Sequence, residues 1–121
     1  MADTSIKNAY KEGKRGKEPS FSLVRTSIDD EVTAVSMAEE AIELGLAVSA
    51  RIVPARSLYI WKGEACDITE YQVEFMTVSP CLKQLSALIV RLHPYECPEV
   101  IRIPVRCLNK DFSDWVLEGC L

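Results

Sequence analysis

The segment TEYQVEFMTV, residues 69–78, alternates two kinds of side chain along its length. One face carries Tyr71, Val73, Phe75 and Thr77, and the other carries Gln72, Glu74 and Met76. This period-two alternation predicts a β-strand with one face in the core. Ser79-Pro80 follows at once. Because serine caps helices and proline is tolerated in the first helical turn, the strand is predicted to lead directly into a helix.

The patterns on either side of this segment predict two strand-helix-strand units. The predicted elements are strand 21–26, helix 30–44, strand 46–53, an extended piece 58–61, strand 69–78, a helix from 79 that Pro94 ends, strand 99–105 and a closing helix 111–117. The predicted inward residues of the helices are Val35, Ala38, Ala41 and Ile42 with Leu46, then Leu82, Leu85, Leu88, Ile89 and Leu92, then Phe112, Trp115 and Val116. Pro54 is expected to break the first arm of a long hairpin, and Pro104 indicates an edge strand.

This order predicts an α+β fold, a ferredoxin-like βαββαβ sandwich with a C-terminal helix. Its sheet is antiparallel, with helices on one face. Apolar and aromatic residues fall on both faces of the long hairpin, from Leu46–Trp61 to Thr69–Val78. Since a bare second face would leave a larger apolar patch than monomers usually show, oligomerisation through the sheet is expected.

Composition excludes several function classes. The chain has 121 residues, of which 48% are hydrophobic and 26% charged, with a net charge of −4. The absence of a basic excess argues against nucleic acid as a partner, and no apolar run reaches the ~20 residues that span a membrane. Residues 1–19 are predicted to be a flexible tail and residues 20–121 one domain. The five cysteines, odd in number and without C-x-x-C spacing, indicate reduced thiols and a cytoplasmic protein.

The run HPYECPEVI, residues 93–101, contains the only histidine of the chain. It places an imidazole, a carboxylate and a thiol within five residues. One interpretation is a metal site, because imidazole and thiolate are common ligands. The other is that Pro94 and Pro98 shape a helix-to-strand connection that the polar side chains hold. A catalytic Cys–His pair is disfavoured, since no orienting Asn or Asp is evident.

Two motifs together resemble the CutA divalent-cation-tolerance family. They are SLYIWKG, residues 57–63, and the run 93–101 followed by IPV, residues 103–105. IVP at 52–54 and Trp115 fit the same pattern. The resemblance covers about residues 21–116. It implies a fold similar to that of PII signalling proteins, a compact homotrimer with sheets facing inward, tolerance to divalent cations, copper above all, and no catalysed reaction.

The resemblance also implies site residues. His93 matches the histidine of the family's His-Pro-Tyr motif, which has been assigned to copper. Other ligand positions of the family are occupied here by Arg25, Leu92 and Ser49. The expected ligands for copper or another divalent cation are therefore His93, with Glu96 and Cys97 as weaker neighbours.

Six further residues match motif positions of the family. They are Tyr59, Trp61, Lys62, Tyr95, Glu99 and Trp115. In one interpretation the aromatics pack a trimer interface and Lys62 caps a turn or pairs with a carboxylate. In the other they line a cleft between subunits. Three functions remain open. The first is a trimeric, non-enzymatic cation-tolerance or signalling module, which as a PII-like module could bind a small molecule without metal. The second is a copper-buffering protein, and the third is an enzyme with an inter-subunit cleft, which the lack of a catalytic set of residues disfavours.

Overall fold

A computed structural model describes residues 20–120 of the chain, so the predicted tail at residues 1–19 lies outside the described residues. The elements in chain order are β1 (Phe21–Ile28), α1 (Glu31–Glu43), β2 (Ser49–Trp61), β3 (Glu64–Val78), a 3-10 turn (Ser79–Cys81), α2 (Leu82–Leu92), β4 (Ile101–Val105) and α3 (Lys110–Gly119).

The four strands form one antiparallel sheet in the order β2-β3-β1-β4. Each half of the chain contributes a strand, a helix and a strand. This is the ferredoxin-like βαββαβ arrangement with a C-terminal helix, as predicted. β4 lies at one edge of the sheet, which confirms the position that Pro104 indicated.

The long hairpin is continuous. β2 and β3 pair without interruption from Ser49 opposite Met76 to Trp61 opposite Glu64. The turn between them has positive φ at both central residues, 50° at Lys62 and 81° at Gly63, as tight hairpins require. The predicted break at Pro54 is wrong. Because β2 is an edge strand, a proline fits there with its nitrogen turned away from the partner strand.

The main core lies between one face of the sheet and the helices α1 and α2. Val24 and Ile28 of β1 and Val73 and Phe75 of β3 are buried there. The Asp30 carboxylate caps α1 by accepting a hydrogen bond from the Thr33 amide at 3.0 Å. The buried stripe of α1 is Ala34, Met37, Ala38 and Ala41. The predicted inward positions Val35 and Ile42 are exposed, since the small residues beside them let the helix lie closer to the sheet.

The buried residues of α2 agree with the prediction, whereas those of α3 agree only in part. In α2 the buried residues Leu85, Leu88 and Ile89 follow the predicted stripe. In α3 Val116 and Leu117 are the buried residues, packed with Phe21 and Val78 at one end of the second sheet face. Phe112 and Trp115, predicted to pack inward, are instead 40% and 48% exposed and contact each other. The helix is short and offers only one narrow stripe to the sheet.

The rest of the second sheet face is open in the single chain. Arg25 and Glu74, opposite each other on β1 and β3, form a salt bridge there at 2.7 Å. Val53, Ile101 and the aromatic end of β2 are also exposed on this face. The expectation that apolar side chains remain uncovered on the hairpin is therefore confirmed for the single chain.

Candidate functional site

A cleft of about 390 Å3 lies on the open face of the sheet, where the far half of the hairpin meets the loop that follows α2. Three segments build it: the end of β1 with the residues after it, the paired part of β2 and β3 near the turn, and the loop between α2 and β4. Its lining residues are Ser27, Asp29, Tyr59, Trp61, Ile68, Glu70, Tyr95, Glu96, Cys97 and Glu99. Aromatic rings and carboxylates dominate this surface.

His93 is the C-cap residue of α2 and adjoins the cleft through the lining residue Tyr95. Its Nε2 lies 2.9 Å from the Ser27 carbonyl oxygen, and its Nδ1 accepts a hydrogen bond from the Tyr95 amide at 3.1 Å. A neutral ring that carries its proton on Nε2 satisfies both contacts. Burial lowers the pKa of His93, although the Ser27 carbonyl and the carboxylates of Glu70 and Asp29 oppose this shift. The side chain therefore joins the loop to β1.

Tyr95 and Glu70 form the floor of the cleft. The Tyr95 hydroxyl donates a hydrogen bond of 2.6 Å to Glu70 Oε2, and the Tyr95 ring contacts the His93 ring edge-on at 4.6 Å between centroids. Burial, and then the Glu70 carboxylate, raise the pKa of Tyr95 far above its ordinary value. The phenol therefore stays protonated, as a donor to a carboxylate that is only 7% exposed.

Lys62 bridges the mouth of the cleft from the hairpin turn. Its Nζ lies 3.0 Å from Glu96 Oε2 and 5.5 Å from the centroid of the Trp61 ring. Both members of the ion pair are well exposed, so the pair adds little stability. It nevertheless shows that the turn reaches the loop between α2 and β4.

The structure gathers most of the predicted site residues. Tyr59, Trp61, Tyr95 and Glu99 line one cleft together with Glu96 and Cys97, and Lys62 pairs with a lining carboxylate. Trp115 is not among the lining residues of the single chain, because α3 packs at the opposite end of β1.

Sequence reasoning missed four lining residues. They are Ser27, Asp29, Ile68 and Glu70. Glu70 carried a usable signal, because it continues the polar face of β3 that Gln72 and Glu74 occupy and is placed opposite the hairpin arm. The other three come together only through the pairing of β1 and β3, which no local pattern in the sequence specifies.

The surroundings of His93 bear on the predicted metal site. Both ring nitrogens of His93 are already hydrogen-bonded to the backbone. Over residues 20–120 of one chain, no three His, Cys, Asp or Glu side chains are close enough together to hold an ion. A cation at His93 would have to replace one of the two hydrogen bonds and recruit ligands beyond those that one chain places there.

Comparison with known proteins gives consistent matches. The family described as CutA1 divalent ion tolerance protein matches residues 22–119. The divalent-cation tolerance protein CutA of Thermus thermophilus is 30% identical over 98 residues, which cover 80% of this chain and 95% of that protein. The solved CutA structure from Synechococcus elongatus superposes with a TM-score of 0.79 at 31% identity, covering 83% of this chain and 89% of the other.

A second solved structure also shares the fold. The CutA structure from Archaeoglobus fulgidus, described as periplasmic, has a TM-score of 0.79 at 24% identity and covers 82% of this chain and 97% of that one. At this identity the likeness shows the fold alone. Among the helices at residues 20–120, none has the length and apolarity that a membrane span needs.

Proposed function

Since the chain belongs to the CutA1 divalent ion tolerance family, we propose that it is a non-enzymatic homotrimer that binds copper or another divalent cation at the cleft beside His93. One observation carries this proposal. The cleft gathers four carboxylates, and Lys62 is the one basic side chain within residues 20–120 that pairs with any of them. Such a surface attracts cations and repels anions.

Three residues are the proposed ligands. Cys97 is exposed, and Glu96 stands at the mouth in an exposed ion pair with Lys62 that costs little to break. His93 joins them when the Tyr95 amide or the Ser27 carbonyl releases its ring, at a cost of about 1 kcal/mol for a neutral hydrogen bond. Because one chain supplies few ligands, groups from a second subunit complete the site.

A second candidate is a small-molecule module of the PII-like type that needs no metal. The aromatic lining favours it, because the rings of Tyr59, Trp61 and Tyr95 suit an organic ligand. Aromatic rings are not the ligands that metal ions prefer. Both candidates are non-enzymatic. Both ring nitrogens of His93 are hydrogen-bonded to backbone groups, which disfavours a catalytic Cys–His pair with Cys97. A cytoplasmic location accompanies both, since the five thiols would persist there in reduced form.

The uncovered second face of the sheet supports the proposed trimer. Val53 is 51% exposed on this face, and Tyr59 and Trp61, which share the face near the hairpin turn, are 40% and 42% exposed. Replacing Val53 by Lys should dissociate the assembly, since a charge would enter the interface. Val32→Lys is the matched control, because Val32 is 75% exposed on α1 and away from the sheet. Sedimentation equilibrium measures both, and a wild-type protein that remains monomeric at micromolar concentration contradicts the trimer.

Metal binding is tested by titrating the reduced protein with cuprous and cupric ions. Cys97→Ser and Glu96→Gln should weaken binding, whereas Cys107→Ser, a half-buried thiol outside the cleft, should not. His93→Ala tests the histidine separately. If the control weakens copper binding as much as Cys97→Ser does, binding is nonspecific thiol chemistry and the proposed site is wrong.

A further inference from the structure

Glu70 is a buried carboxylate without a counter-cation. It is 7% exposed, and its hydrogen-bond partner in the described part of the chain is the neutral Tyr95 hydroxyl, which binds Oε2. No basic side chain of residues 20–120 forms a salt bridge with it, and the residue lines the cleft. Burying a carboxylate is costly unless a positive group compensates it, so this position favours a cationic ligand.

The rings around this carboxylate indicate what kind of cation fits. Tyr59, Trp61 and Tyr95 line the same cleft. Aromatic faces attract organic ammonium groups through the ring quadrupole, and Trp does so most strongly. The cleft, at about 390 Å3, also falls within the usual size range of small-molecule sites and is far larger than one ion needs.

Lys62 shows the same chemistry within the chain. Its ammonium group lies 5.5 Å from the centre of the Trp61 ring and 3.0 Å from a Glu96 oxygen. A primary alkylammonium is thus already held between an aromatic face and a carboxylate at the mouth. Deeper in the cleft, Glu70 with Tyr59 and Tyr95 repeats this combination without a cation of its own.

We propose that the cleft binds an aliphatic oligoamine, with one ammonium group on Glu70 and the others on the carboxylates of Asp29 and Glu99. This inference rests on the proposed function in that it uses the same cleft as the ligand site. It gives a ligand class for the small-molecule module of the PII-like type described above. The three carboxylates left after the Lys62 pair match an amine of two or three positive charges.

Isothermal titration of the full chain at constant ionic strength tests the proposal with butylamine, putrescine and spermidine as probes. Affinity should rise with each added charge, and spermidine should bind more tightly than magnesium. Glu70→Gln, which can still accept from the Tyr95 hydroxyl, should weaken spermidine at least tenfold. Glu118→Gln, the same change on exposed α3, should alter it less than twofold. Trp61→Leu, at a position that is 42% exposed, should also weaken binding.

Two results would overturn the inference. In one, magnesium displaces spermidine when both are added at the same concentration of positive charge, which would mean that the cleft responds to charge alone. In the other, neither Glu70→Gln nor Trp61→Leu changes spermidine affinity. A copper titration of the same proteins separates this failure from that of the proposed function. Copper bound through Cys97 with no amine binding removes the oligoamine alone, whereas amine binding without copper removes the metal and retains the cleft.

Discussion

Protonation of His93 should destabilise the fold, because the ring is buried in the neutral form. Its Nδ1 accepts from the Tyr95 amide, so a proton on that nitrogen would face another N–H. Burial lowers the pKa of His93 below its ordinary value of 6.5. Between the folded-state value and 6.5 the unfolded chain binds more protons, so stability is present above this window and is lost as the pH falls through it.

The magnitude follows from the contacts. A single titrating group changes the unfolding free energy by no more than about 1.4 kcal/mol per pH unit. His93→Ala removes two hydrogen bonds and a buried ring, so it should cost roughly 2–4 kcal/mol near neutral pH. His93→Gln is the matched variant, since its amide can still donate towards the Ser27 carbonyl and does not titrate.

These effects are measured by urea unfolding at about pH 7.5 and about pH 5.5, followed by tryptophan fluorescence. All samples are kept at one protein concentration, because assembly contributes to stability. The wild type should lose more stability on acidification than His93→Gln does. Equal losses in the two proteins would refute the titration argument. A His93→Ala protein within about 0.5 kcal/mol of wild type would refute the role of the ring in holding the loop.

Four further predictions concern packing and exposure. Thr26→Val should stabilise the protein by about 1 kcal/mol in urea unfolding, because the buried Thr26 hydroxyl has no hydrogen-bond partner among residues 20–120. Gly119→Ala should destabilise it by roughly 1–3 kcal/mol despite the better helix propensity of alanine, because the new Cβ would collide with the Val48 side chain. Ellman's reagent should modify exposed Cys97 first in the native protein, and the buried thiols only on unfolding. Deleting residues 2–18 should change the melting temperature by less than ~5 °C, and a larger fall would show that the segment docks on the domain.

Local patterns in the sequence predicted most of the elements. Alternation over 69–78 identified the strand. Ser79-Pro80 marked the 3-10 turn that leads into α2, although the predicted serine cap is wrong because the Ser79 side chain makes no capping hydrogen bond within residues 20–120. The stripe of α2 was confirmed, with Leu85, Leu88 and Ile89 buried and Leu82 and Leu92 partly buried against the core. These signals work because side-chain direction repeats every two residues in a strand and about every 3.6 in a helix. The family resemblance added most of the cleft, including Tyr59, Trp61 and Tyr95, from motifs that lie far apart in the chain.

Other features depended on what packs against what. From the sequence alone Pro54 predicts a break in the strand, and only the position of β2 at the edge of the sheet explains why the strand continues. Likewise Val35 is predicted to be buried, but the residues of α1 that face the sheet are mainly the small ones. The burial of Glu70 is also a tertiary fact, because its environment comes from β2 and the loop after α2 as well as from its own strand. The sequence alone thus determined the element types and the residues of the two motifs, since periodicity and turn chemistry are local. Only the tertiary structure decided that Glu70 is buried and that both ring nitrogens of His93 are hydrogen-bonded, because burial and hydrogen-bond pairing arise between segments distant in the chain.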